Sequence, residues 1–260
     1  MMKRATSSPR RWVFRALVLF WGGVAIWVGV NLQARGLADD VFVGDERTAV
    51  AIGDEGYAFL PTADTAGAGL IFYPGALVDP RAYAPLARAI ARRGYPVKVL
   101  RLPYRLAPTA AHEAALATRT LDAMREGGPG RAWVVGGHSK GGKLAALFAR
   151  DHPGALGGLL LLGTSHPRRD DLSGLGVDVA KVYGSRDGLA SEEEVRQFAT
   201  NLPTATRFTR VDGGNHAQFG WYGRQVGDRA AAISREEQQR QTVGAIVDQL
   251  RRVSAARVPH

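Results

Sequence analysis

The sequence predicts an α/β fold, a mostly parallel central sheet covered by helices on both faces and preceded by an apolar N-terminal helix. Three observations carry that expectation. From about Asp39 onward, short β-rich apolar runs alternate with amphipathic stretches, the pattern of strands joined by crossover helices. One Gly-rich turn, GGHSKGGKL at 136–144, stands between an apolar run and a helical one. The first forty residues place a basic block before about twenty apolar residues.

In chain order, residues 48–52 and 57–60 read as an antiparallel hairpin across Gly53-Asp54-Glu55-Gly56. Residues 70–73, LIFY, form a buried strand ending at Pro74-Gly75. Asp79-Pro80 supplies an N-cap oxygen and an N1 proline for a helix that sets Tyr83, Leu86, Ala87 and Ile90 on one face and stops at Gly94. Further strands fall at 97–102, 133–135, 159–162, 179–183 and 206–211, and helices at 110–126, 140–150, 192–199 and 235–252. No internal repeat and no second globular domain are evident.

At the N-terminus, MMKRATSSPRR precedes an apolar stretch over residues 12–30 interrupted only by Arg15, about the length of a bilayer span. Arg15 lies near one end, where it can snorkel toward the headgroups, and the positive-inside rule keeps the N-terminus cytoplasmic. The expected organisation is therefore a basic N-terminus and signal anchor over 1–38 and an extracytoplasmic domain over 39–260, at the cell membrane. A cleaved signal peptide, giving a secreted protein, is the alternative; its apolar core would be shorter, and Leu32-Gln33-Ala34 matches a cleavage site poorly.

The net charge of +10 owes five charges to Lys3, Arg4, Arg10, Arg11 and Arg15, so the rest of the chain carries about +5 without a basic run interleaved with aromatics. That argues against nucleic acid as a partner. With no cysteine, the chain has no disulfide, thiolate metal site or cysteine nucleophile. The six histidines lack ligand spacing, so no metal and no cofactor are expected.

GGHSKGGKL has two readings. Gly137 to Lys143 fits the phosphate-cradling G-x-x-x-x-G-K, whereas Gly137, Ser139 and Gly141 fit G-x-S-x-G, a turn that presents a nucleophilic serine. A phosphate loop continues with Ser or Thr to hold magnesium, and here Leu144 follows. The serine turn needs glycines two residues to either side, because the chain reverses too sharply for Cβ atoms there. It also needs an acid and a histidine at the ends of later strands, in that order. Asp187 in VYGSRDG and His216 in VDGGNHAQFG supply them. Asp187 has a second reading as cap of the helix that begins near Ser191, and Asp212 is a rival acid set awkwardly close to His216. His112, His138, His152, His166 and His260 are expected to be solvated or capping. An oxyanion would take the Lys140 N–H and an N–H from Tyr73-Pro74-Gly75-Ala76, with Ala76 preferred to Leu77.

YPGALVDPRAYAPLARAIARRGYPV, GGHSKGGKLAALFA, VYGSRDG and GGNHAQFGWYGRQVGD, in this order, resemble a bacterial branch of the α/β-hydrolase superfamily, distantly similar to dienelactone-hydrolase-like and esterase proteins. The likeness runs from about Ala49 to Val253. It implies the α/β-hydrolase fold, with Ser139 as nucleophile, Asp187 as acid, His216 as base and Pro74-Gly75-Ala76 as oxyanion loop. Two positions depart from it: Ala76 stands where a second glycine is expected, and Lys140 where a hydrophobic residue is commoner. Lys140 either adds positive potential at the site or points to solvent.

The activity expected is that of a serine hydrolase cleaving a small ester or thioester through an acyl-enzyme, with an amidase or peptidase, or a non-catalytic surface binding module, as alternatives. Oligomeric state is not legible. The short SHPRRDDLSGLGVD connection leaves no room for a large lid, which favours short or exposed esters over buried lipids. Phe219, Trp221 and Tyr222 either line a pocket or pack the last helix against the sheet.

Overall fold

The computed structural model describes residues 9–63, 67–128 and 130–256. Their strands are β1 (Thr48–Gly53), β2 (Gly56–Pro61), β3 (Ala68–Tyr73), β4 (Val97–Leu100), β5 (Ala132–His138), β6 (Gly158–Leu162), β7 (Asp178–Gly184) and β8 (Arg207–Val211). They make one sheet in the order β1-β2-β4-β3-β5-β6-β7-β8, with β2 antiparallel to both neighbours and all other pairs parallel. β3 and β6 are buried along their whole length, as expected of parallel strands covered on both faces.

The helices are α1 (Pro9–Asn31), α2 (Ala84–Ala91), α3 (Ala110–Glu126), α4 (Lys140–Asp151), α5 (Glu192–Gln197) and α6 (Arg235–Ala255). On one face Leu86 and Ile90 of α2 meet Ile246 and Leu250 of α6 over Leu70, Phe72 and Val134. On the other, Leu116 and Ala123 of α3 and Leu144 and Phe148 of α4 cover Ile71, Val135 and Leu161. The strand order reverses at β3, whose successor β4 lies on one side and β5 on the other. The carboxyl ends of β3 and β5 thus flank the switch-point crevice where such sheets bind ligands.

The helix expected from Pro80 begins as a 3-10 turn, Pro80–Tyr83, capped by Asp79 Oδ1 on the Arg81 N–H at 3.0 Å, and turns α-helical only at Ala84. The connection at 163–177 carries no regular element.

α1 contains a span, Arg10–Asn31, of mean hydropathy 1.9, long and apolar enough to cross a membrane, a test that a signal sequence near an N-terminus also passes. Nothing of its apolar window is buried, and the chain is built into the fold directly beyond it. Leu32 is buried in the α2–α6 core. The Asn31 carbonyl accepts from Gly223 N–H (2.7 Å), the Leu32 carbonyl from Asp79 N–H (2.8 Å), and Arg35 N–H donates to the Trp221 carbonyl (2.9 Å). Ala34 bridges Tyr222. Of the basic block, Lys3 and Arg4 lie outside the described residues.

Candidate active site

Ser139 alone separates β5 from α4. Its N–H extends the β5–β6 ladder to the Leu162 carbonyl (2.9 Å), and its carbonyl starts the helix by accepting from Lys143 N–H (3.1 Å). Serving both elements forces φ 55°, ψ −116°, a conformation that side chains rarely adopt. The flanking glycines are steric requirements of the same turn. A Cβ on Gly137 would stand 2.6 Å from the Tyr73 carbonyl oxygen, and one on Gly141 2.5 Å from that of Pro74.

At the ends of β7 and β8 the structure brings Asp187 and His216 together. His216 Nδ1 lies 2.8 Å from Asp187 Oδ2, with both side chains buried. Oδ1 of Asp187 accepts from the N–H groups of Leu189 (2.8 Å) and Ala190 (2.7 Å), while the α5 cap is Ser191 with its Glu194 capping box. The carboxylate is thereby oriented toward the imidazole and not toward the helix. Asp212 pairs with Arg210 at the surface. His216 Nε2 is buried and has no hydrogen-bond partner among the described residues; Ser139 Oγ does not bond it here.

Two groups that hold the histidine loop escaped the sequence reading. Asp228 accepts from His216 N–H (3.2 Å) and Gly188 N–H (3.1 Å) through Oδ1 and from Ala217 N–H (2.9 Å) through Oδ2, so one carboxylate clamps both strand-end loops. Buried Gln238 of α6 accepts from Asn215 N–H (2.9 Å) and donates to the Asn215 carbonyl (2.7 Å). The VGD that ends the GRQVGD stretch was the available signal for Asp228. Gln238 looks in sequence like any polar helix residue.

In the loop after β3, Gly75 N–H donates to Tyr83 Oη (3.0 Å) and Leu77 N–H to the Arg105 carbonyl (2.6 Å). Among the described residues no acceptor meets the intervening Ala76 N–H. The Lys140 N–H, first in α4, has no intrahelical acceptor either. Leu77, Tyr104, Arg105 and Ala107 all have positive φ, so the rim of this loop is conformationally strained.

His138 corrects the expectation of a solvated histidine. It is fully buried, 2.9 Å from Tyr83 Oη through Nδ1, with its ring centroid 4.4 Å from that of His216. The same Tyr83 oxygen accepts from Gly75 N–H, so Tyr83 joins the loop after β3 to His138. Burial, followed by the neighbouring His216, holds its pKa well below the usual imidazole value, and it stays neutral. Of the other histidines, His112 meets the capping Thr109 and His152 ends α4. His166 is half-buried with its pKa pushed down to about 4 by burial, and His260 lies outside the described residues.

Lys140 pairs with Glu113 (3.4 Å), so it neither points freely to solvent nor presents an unopposed charge. Phe219 and Tyr222 are fully buried around His138 and serve the core, whereas half-buried Trp221 faces Gly36 and Arg35. No group of three metal-ligating side chains occurs among the described residues.

A family profile described as "Alpha/beta hydrolase family" matches residues 69–240. Among solved structures, similarity extends to one described as a predicted CIB-like hydrolase from Thermoplasma acidophilum, with TM-score 0.59 and 15% identity over 77% of this chain and 99% of that one. It extends also to Est1E from Butyrivibrio proteoclasticus (TM-score 0.57, 11% identity, 79% of this chain and 100% of that one). An alpha-beta serine hydrolase homologue from Coxiella burnetii gives TM-score 0.50 and 16% identity over 67% of this chain and 91% of that one. At these identities the likeness is one of fold. No curated protein matches the chain.

Proposed function

The chain belongs to the alpha/beta hydrolase family, and on that premise we propose that it is a membrane-anchored serine hydrolase cleaving a carboxylic ester or thioester through an acyl-enzyme. The observation that carries the proposal is the orphaned Nε2 of His216. A buried acceptor without a partner costs about 1–3 kcal/mol, and its companion nitrogen is held by a carboxylate that is itself fixed by two backbone N–H groups. Such an arrangement is suited to a base awaiting a proton.

In the proposed reaction His216 Nε2 takes the Ser139 Oγ proton as Oγ attacks the acyl carbon, and Asp187 stabilises the imidazolium. The N–H groups of Ala76 and Lys140 receive the oxyanion, aided by the positive end of the α4 dipole. The imidazolium then gives its proton to the leaving alcohol or thiol, and water repeats the sequence to release the acid. Gly137 and Gly141 act by permitting the turn.

The proposed setting is the cell membrane, with α1 as an uncleaved anchor, Arg10, Arg11 and Arg15 on the cytoplasmic side and the catalytic domain outside. Burial of Leu32 and the Ala34–Tyr222 bridge favour retention over cleavage, because removing the leader near Ala34 would strip a core residue from the domain.

The test is reaction of the detergent-solubilised full chain with a fluorophosphonate probe, followed by peptide mass spectrometry. Adduct on Ser139 that is lost in His216→Ala is expected; folded protein that takes no adduct there would remove the serine from its role.

A further inference from the structure

Resting on that reading, we infer that the mouth of the active site opens onto the membrane surface and that the substrate is an amphiphilic ester held in the bilayer, its long chain staying in lipid while the carbonyl reaches Ser139. The junction between α1 and the domain leaves no linker. Asn31, the last residue of the helix, is hydrogen-bonded to Gly223, and Leu32, the next residue, to Asp79. A span leaving the bilayer at Asn31 therefore sets the surrounding face of the domain at the headgroups, with no slack to move away.

That face is the catalytic one. Asp79 is three residues from Ala76, a chain reach of about 11 Å at most, and Trp221, bonded to Arg35, is five residues beyond His216. Its exposed groups suit an interface. Leu77 and Tyr104 are 44% and 79% exposed and lie on two strained loops joined by the Leu77 N–H to Arg105 carbonyl bond. Val226, 64% exposed, sits on the loop that shares a cavity of about 770 Å³ with Asn31 and Arg35. Exposed Arg35, Arg224 and Arg229 line the same cavity, at the height where anionic headgroups would stand. The lidless connection at 163–177, which by itself favoured short or exposed esters, takes the opposite meaning beside a membrane, because the bilayer supplies the apolar shelter that a lid otherwise provides.

The chain has no cysteine, so single-cysteine variants report position without background. Tyr104→Cys, Val226→Cys and, at the amino-terminal end of the parallel strands just before β6, exposed Ala155→Cys are prepared in the full chain, labelled with an environment-sensitive fluorophore and reconstituted into phosphatidylcholine–phosphatidylglycerol vesicles. Labels at 104 and 226 are expected to shift blue and to be quenched by bromolipids, and the label at 155 is not. The unlabelled protein is expected to hydrolyse a long-chain nitrophenyl ester dissolved in the vesicles. Tyr104→Asp with Val226→Asp should lower that rate by about tenfold or more and leave a water-soluble short-chain ester unaffected. Labels at 104 and 226 as wet as the one at 155 would overturn the membrane face. An inert long-chain ester beside an active short-chain one would overturn the substrate class. Absence of all ester turnover, with no fluorophosphonate adduct, overturns the hydrolase reading and the substrate class together, and the labels still decide the membrane face by themselves.

Discussion

The ring of His138 packs on the ring of His216 with centroids 4.4 Å apart, so the residue before the proposed nucleophile touches the proposed base. Its neutrality matters there, because a charged neighbour would oppose the imidazolium that forms during the reaction. Burial depresses the His138 pKa, so below the ordinary imidazole value near 6.5 the unfolded chain binds a proton that the folded one refuses. Stability contributed by this site is full above that pH and is lost as pH falls. His138→Phe should flatten the decline in urea midpoint between about pH 7 and pH 5 relative to the parent. An unchanged slope would mean that another group, such as His166, dominates it.

Asp187→Asn keeps the size of the side chain but removes the charge facing His216 Nδ1 at 2.8 Å. The expected loss in kcat is on the order of 10³–10⁴, with little change in KM, since the carboxylate acts on the imidazolium and not on bound substrate. Steady-state kinetics on a soluble ester check it; a loss below tenfold would point to another acid.

Ser139 holds φ 55°, ψ −116°, which a glycine tolerates and a Cβ resists. Both Ser139→Ala and Ser139→Gly should abolish turnover. Ser139→Gly should unfold at higher denaturant than Ser139→Ala, by about 1–3 kcal/mol, reversing the usual preference for alanine. Paired urea titrations read the difference, and a more stable alanine variant would contradict the strain.

Lys181, in the middle of β7, is fully buried, and its Nζ donates to the His166 carbonyl at 2.8 Å. Burial, followed by the neighbouring Arg168, pushes its pKa down to about 7. Between that value and the ordinary lysine value near 10.4 the unfolded state binds the extra proton, so stability should rise with pH across this window. Lys181→Met, which keeps the length of the chain without the charge, should stabilise the protein at pH 7 by on the order of 1 kcal/mol or more and remove that rise. Thermal unfolding of both proteins at pH 7 and pH 9 is the measurement.

Much of this protein was legible in the residues because its signals are local. Continuous apolar runs such as LIFY and LLLL become strands buried on both faces, and Asp79-Pro80 caps a turn because an oxygen and a fixed φ act within two residues. The Gly137 and Gly141 pair marks a turn whose steric demand lies between adjacent elements. The order of Ser139, Asp187 and His216 along the chain was likewise readable. The contact between Asp187 and His216 was not, because the β7 and β8 ends that carry them are set side by side only by the order of strands in the sheet. The tertiary structure alone decided that Tyr83 joins Gly75 to His138, that Asp228 clamps two loops, and that the end of α1 docks beside the β3 loop. Each of these contacts pairs groups far apart in sequence whose residue types are ordinary in isolation. Their partners are chosen by which polar groups the packed sheet and helices leave buried and in need of hydrogen bonds.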